Sequence, residues 1–107
     1  MGATQVAPFL FMPIATLTLE IRIEHAQSLK DKRQVLRSLK DKLRKQFNVS
    51  VAELDENDLW QRATIGVVSI SNSRDYLAQV MQSVEKSAHR VTRDAGGEVV
   101  DSFVEID

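Results

Sequence analysis

The spacing of the hydrophobic residues switches repeatedly along this chain, and the order of the switches restricts what it can fold into. From Ile14 to Ile23 apolar and polar residues alternate, which is the pattern of a strand with one buried face. A helical spacing follows, then two strand-like segments, a second helical spacing and a final strand-like segment. The chain therefore predicts the element order β-α-β-β-α-β.

The first helical segment opens at Ser28, whose hydroxyl can cap the first turn, with Asp31 completing an S-x-x-D capping box. Its apolar residues recur at helical spacing and form one stripe. They are Leu29, Leu36, Leu39, Leu43 and Phe47, widened by Val35. Asn48 is the predicted end because it tolerates left-handed backbone.

The second helical segment is predicted to be capped by Asn72 or Ser73 and to end at the Gly96-Gly97 pair. It carries one apolar stripe of its own. The stripe consists of Leu77, Val80, Met81, Val84, Ala88 and Val91.

Three further strands are predicted after the first helix. Val49–Leu54 and Trp60–Ile70 are joined by a polar turn and therefore predict a hairpin. The last strand is predicted over Val99–Ile106. Three of its side chains are expected on one face: Val100, Val104 and Ile106.

Two amphipathic helices and a sheet with one apolar face predict a two-layer α+β domain. With right-handed crossovers, the order β-α-β-β-α-β gives a ferredoxin-like sandwich, a four-stranded antiparallel sheet with both helices on one face. We expect a single domain over residues 12–107 and a flexible N-terminal extension over residues 1–11.

The composition excludes several kinds of site. The 107 residues include no Cys, so disulfides, thiolate zinc sites and a cysteine nucleophile are excluded. His25 and His89 lack metal-ligand spacing, and no glycine loop that cradles phosphate is present. No stretch is long and apolar enough to span a bilayer, and a cytoplasmic location is expected. We predict no metal, no cofactor and no catalytic residues.

Charge is segregated along the chain, although the net charge is only -1. Between Ser28 and Gln46 lie eight Lys or Arg and two Asp, a local charge of +6. At about 100° per residue, five of these cations fall within an arc of about 80° beside the apolar stripe. We call them the basic ridge: Lys30, Arg33, Arg37, Lys40 and Arg44.

Two interpretations of the basic ridge stay open. Its cations can meet successive phosphates of a structured RNA. Alternatively, they are a solvated flank whose aliphatic stems cover the core stripe, or they bind an acidic protein. Lys32 lies within the apolar arc, and we expect its ammonium to reach solvent past the end of the sheet. It is counted with the ridge as a candidate phosphate-binding residue.

The run Asp58-Leu59-Trp60-Gln61-Arg62 contains the only Trp of the chain. A Trp beside Arg and Gln at a strand start can act as a stacking platform with hydrogen-bonding neighbours, and Asp58, Trp60, Gln61 and Arg62 are the candidate residues. Alternatively, Trp60 closes the open end of the core while Arg62 pairs with Asp58. In the predicted topology, the first helix begins at the end of the sheet where this hairpin lies, so both candidate regions are expected to border one surface.

Three runs of the sequence resemble the YlxP-like family of small bacterial proteins, a family of unknown function. They span residues 25–33, which include S-L-K-D-K-R, residues 47–53, and residues 58–63, which read D-L-W-Q-R-A. The resemblance covers roughly residues 12–106. It implies a ferredoxin-like fold and a role associated with RNA or the ribosome, and it implies no reaction and no cofactor.

These observations predict a non-enzymatic binding module whose partner is ribosomal RNA or a ribosomal subunit. The alternative is a homo-oligomeric regulatory or protein-interaction module. Because Thr16, Thr18, Glu20 and Arg22 make the outer face of the first strand polar, a homodimer is expected to pair through a sheet edge. A small phosphate-handling enzyme, with His25, Ser28, Lys32 and Arg33 at the helix start, is a further alternative.

Overall fold

The computed structural model describes residues 12–55 and 59–107. Their elements follow the predicted β-α-β-β-α-β order. They are β1 (Ile14–Arg22), α1 (Leu29–Gln46), β2 (Ser50–Glu53), β3 (Arg62–Ile70), α2 (Arg74–Asp94) and β4 (Glu98–Ile106). The predicted extension over residues 1–11 and the candidate residue Asp58 lie outside the described residues.

The four strands form one antiparallel sheet in the order β2-β3-β1-β4. β1 is therefore central, and α1 and α2 pack together over one face of the sheet. This confirms the predicted ferredoxin-like α+β arrangement. Of the two helices in the described part of the chain, neither is long and apolar enough to cross a membrane.

The alternation in β1 is confirmed, because Leu17, Leu19 and Ile21 are buried while their neighbours face away from the helices. Leu39 and Met81 bring the apolar stripes of α1 and α2 into the same core. The predicted stripes thus place the two helices correctly on the sheet.

Both ends of α1 differ in detail from the prediction. Ser28 Oγ accepts the Asp31 N–H at 3.1 Å, as predicted, but the Asp31 carboxylate accepts the Gln27 N–H at 2.9 Å. Leu29 was expected in the core and is 39% exposed, because the buried side chain of this first turn is Lys32. The helix ends at Gln46, with an extended Phe47 as its C-cap.

A β-bulge in β4 overturns the prediction that Val100 shares a face with Val104 and Ile106. Glu20 pairs with Asp101 and Ile21 pairs with Val99, so Val100 is an extra residue between them. It is 45% exposed, whereas Val99 takes the buried position. An inserted residue reverses the alternation on one side of the bulge.

Candidate nucleic-acid interface

The start of α1 and the β2–β3 hairpin meet at one end of the sheet, as the topology predicted. Lys32 Nζ donates a hydrogen bond to the Leu59 carbonyl at 2.8 Å. On the other side of the hairpin, the Gln61 carbonyl accepts the Ile23 N–H at 2.9 Å, and Gln61 Nε2 donates to the Glu24 carbonyl at 3.2 Å. The backbone on both sides of Trp60 is therefore attached to the rest of the domain.

Lys32 is not where the sequence led us to expect it. Its side chain is only 6% exposed, so the ammonium does not extend into solvent past the sheet. A cation buried this far from water is stable only where polar atoms replace its hydration, and the Leu59 carbonyl is one such atom. The sequence correctly placed Lys32 in the apolar arc but did not show that the hairpin covers it.

Trp60 does not close the core, because its side chain is 48% exposed. It borders a depression of about 640 Å³, which we call the Trp60 depression. Its lining consists of Arg22, Glu24, Leu59, Trp60, Gln61 and Arg62. Arg62 is exposed and forms no ion pair with another described residue. The interpretation that buries Trp60 is wrong.

Sequence reasoning missed Arg22 as part of this surface. The residue was expected on the outer sheet face, and it does lie there, but the strand register brings it directly opposite Arg62. Two like charges in opposite positions of neighbouring strands repel each other. No local pattern in the sequence indicated this pairing, since it depends on the register between β1 and β3.

The basic ridge is divided into two halves by contacts from β2. In the half near the C-terminus of α1, Lys40 Nζ lies 3.4 Å from Glu53 Oε2, and Arg44 Nη2 donates to the Val51 carbonyl at 2.8 Å. In the half near the N-terminus, Lys30, Arg33 and Arg37 are exposed. Across the described residues they form no ion pair.

A groove of about 300 Å³ runs along the ridge beside β2. It is lined by Arg33, Leu36, Arg37, Lys40, Asp41, Arg44 and Glu53. Asp41 and Glu53 bring negative charge to its far end, whereas Arg33 and Arg37 keep the near end positive. The unpaired cations of the basic ridge thus lie toward the end where the helix approaches the hairpin.

Two residues of the enzyme alternative, His25 and Arg33, line different depressions of the described part of the chain. His25 lines a separate depression of about 360 Å³ with Asp31, whereas Arg33 lines the groove of the ridge. The Ser28 hydroxyl caps α1, and Lys32 lies beneath the hairpin. Within residues 12–55 and 59–107, no three His, Asp or Glu side chains are grouped so that they can hold a metal ion.

The fold and this surface define a small ferredoxin-like domain with an exposed aromatic and cationic end. The chain belongs to the family described as "Protein of unknown function (DUF503)", whose model matches residues 14–102. It is 36% identical over 88 residues to the "Uncharacterized protein YlxP" of Bacillus subtilis (strain 168). That alignment covers 82% of this chain and 83% of the relative, and it confirms the resemblance to YlxP-like proteins.

Solved structures with a similar fold belong to very different proteins. SnoaB, a cofactor-independent oxygenase from Streptomyces nogalater, matches with a TM-score of 0.51 and 11% identity over 88% of this chain and 90% of its own. YXEP of Bacillus subtilis, a dinuclear metal binding peptidase, matches with a TM-score of 0.50 and 9% sequence identity over 89% of this chain. A C-terminal segment of the alpha subunit of aIF2 from Pyrococcus abyssi matches with a TM-score of 0.49 and 19% sequence identity over 92% of this chain.

This chain spans 53% of the aIF2 segment and 25% of the peptidase. At 11% and 9% identity, the likeness to SnoaB and to YXEP shows the fold alone, because one fold serves many unrelated activities. What the domain does must therefore be argued from its own surface.

Proposed function

We propose that this protein is a non-enzymatic RNA-binding module that contacts the phosphate backbone through the basic ridge of α1. The observation that carries the proposal is the exposed, unneutralised half of the ridge: Lys30, Arg33 and Arg37 form no ion pair with any described residue. The resemblance to YlxP-like proteins favours ribosomal RNA or a ribosomal subunit as the partner.

The geometry of the ridge suits a backbone contact rather than base readout. At 1.5 Å per residue, Lys30 and Arg37 are separated by about 10 Å along the helix axis, and the whole ridge extends about 21 Å. The major groove of an RNA duplex is too narrow for a helix to enter, so α1 has to lie across phosphates and the shallow groove. Arg33 and Arg37 can then make bidentate phosphate contacts.

The acidic remainder of the chain supports an oriented contact. The net charge is -1 although the helix segment carries +6, so the surfaces away from α1 are negative on balance. Such a charge distribution favours phosphate at α1 over most of the remaining surface and thereby steers one face toward the RNA.

The test is retention of the full chain on isolated ribosomal subunits and on ribosomal RNA fragments over a range of salt concentrations. Three phosphate contacts predict a slope of about −2 to −3 in log affinity against log salt. The double variant Arg33→Glu with Arg37→Glu should lose low-salt binding. Lys42→Glu with Lys45→Glu is the matched control, since it changes the same charge on an exposed face of α1 away from the ridge.

Two results would refute RNA binding through the ridge. One is that the wild-type chain fails to bind ribosomal subunits and RNA at low salt. The other is that the ridge variant and the Lys42/Lys45 control weaken binding equally, because net charge alone would then explain the effect.

A second candidate function is protein interaction through the edge of β4. Ile14 and Asp107 exchange backbone hydrogen bonds at 3.4 and 3.0 Å, and bonded pairs alternate in an antiparallel ladder. Val104 and Ile106 therefore direct their N–H and C=O groups away from β1. Phe103 adds an aromatic side chain that is 60% exposed. A second copy of the chain can pair with such an edge.

Sedimentation over a range of protein concentrations tests this second candidate. A homodimer should dissociate in Val104→Pro, which removes an outward N–H, and persist in Val104→Thr, which keeps it. A monomer at the highest concentration rules out the homodimer.

A further inference from the structure

The hairpin that carries Trp60 is held in place by a buried lysine, whose ammonium has lost most of its hydration. Lys32 places an ammonium in a position that is 6% exposed, where an apolar side chain would fill the space without losing hydration. What the ammonium does there is donate to the carbonyl of Leu59, the residue before Trp60. Gln61, the residue after it, is attached to the β1–α1 loop through Ile23 and Glu24. An exposed indole is thus presented on an anchored backbone.

The surroundings of this indole suit a nucleotide. Stacking on an exposed aromatic ring is how proteins bind unpaired bases, because every base offers a flat π-face. Arg22 and Arg62 lie opposite each other beside the ring, and an anion between them would relieve their repulsion. Glu24 adds a carboxylate to the lining of the same depression. On the other side of β1, Glu98 of β4 lies opposite Arg22 in the strand register, but the two side chains do not form an ion pair among the described residues.

The Trp60 depression lies at the same end of the domain as the free half of the basic ridge. Leu59 lines the depression, and its carbonyl is bonded to Lys32, the residue immediately before Arg33. The volume of about 640 Å³ lies within the range of small-ligand sites. An RNA strand whose phosphates follow the ridge is thereby directed toward the end of the domain that carries the indole.

We propose that the Trp60 depression binds an unpaired nucleotide next to an RNA duplex, with the base on Trp60 and its phosphate between Arg22 and Arg62. Lys32 is a positioning residue that holds the hairpin and does not contact the RNA. This inference rests on the proposed function and narrows it: the ligand is a junction between duplex and single-stranded RNA.

The test compares two labelled RNA probes by fluorescence anisotropy. One is a blunt duplex of about 16 base pairs, and the other is the same duplex with about six unpaired uridines at one end. The full chain should bind the junction probe about tenfold more tightly, in line with the energy of one stacked base. Because Trp60 is the only Trp, the junction probe should also quench the intrinsic fluorescence, and the blunt probe should not.

Variants assign the preference to the indole. Trp60→Ala should lose most of the preference for the junction probe while keeping the wild-type affinity for the blunt duplex, and Trp60→Phe should keep more of the preference. Tyr76→Ala is the matched control, since it removes an exposed aromatic ring from α2 and should change nothing. Lys32→Met should lose the preference for the junction probe and keep the wild-type affinity for the blunt duplex. Both affinities are measured at a temperature at which this variant is folded.

The outcomes separate this inference from the proposal on which it rests. Equal wild-type affinity for both probes, with the salt slope of the ridge intact, overturns the junction site and leaves RNA binding standing. An effect of Trp60→Ala no larger than that of Tyr76→Ala does the same. If neither probe binds at low salt, both proposals are wrong.

Discussion

Replacing Lys32 by Met tests whether a buried ammonium holds the hairpin. Met keeps most of the aliphatic stem and removes the group that donates to Leu59 at 2.8 Å. A hydrogen bond from a charged donor contributes about 1.5–3 kcal/mol, and the loss leaves a part-buried carbonyl without this donor. The opposing contribution is that Met no longer requires the ammonium of a residue that is only 6% exposed to lose its hydration. We expect the bond to prevail, because the ammonium already has a polar partner.

The net expectation is a loss of about 2 kcal/mol in the free energy of unfolding, or roughly 8–16 °C in Tm for a domain of this size. Thermal unfolding followed by circular dichroism measures it. Lys30→Met is the control, because it removes the same charge from an exposed position in the same turn and should stay within about 0.5 kcal/mol of the wild type. A Lys32→Met variant as stable as the wild type would show that the desolvation of the ammonium outweighs its hydrogen bond.

Three further predictions concern the elements that position the site. Ser28→Ala should lower the free energy of unfolding by about 1 kcal/mol in urea denaturation, since its hydroxyl caps α1 at 3.1 Å; an unchanged midpoint would contradict the cap. Gly97→Ala should cost about 1–3 kcal/mol, because the new Cβ would lie 3.0 Å from Thr92 Cγ2 and 3.2 Å from the Arg22 carbonyl oxygen. Gly66→Ala should stay within about 1 kcal/mol, because its Cβ meets the movable, exposed side chain of Leu54. Equal losses in the two glycine variants would refute this distinction.

The place of the candidate site followed from the topology. A first helix that begins at the end of the sheet carrying the hairpin has to bring Lys32 toward Leu59, and the hydrogen bond between them confirms this. Whether each side chain at this site is buried or exposed did not follow from the topology. Trp60 was as compatible with a closed core as with an exposed ring, because a single residue at a strand start has no periodicity that marks its side.

The sequence by itself determined the six elements and most of the core, because the spacing of apolar residues records which side of each element avoids water. Leu17, Leu39 and Met81 therefore lie where their patterns placed them. Only the tertiary structure decided that Glu53 neutralises Lys40 and that Arg22 faces Arg62. Both contacts join residues far apart in the chain, and their existence depends on strand register and on which strand lies beside α1. Local periodicity contains neither kind of information, so the charge pattern of this surface could be read only from the folded chain.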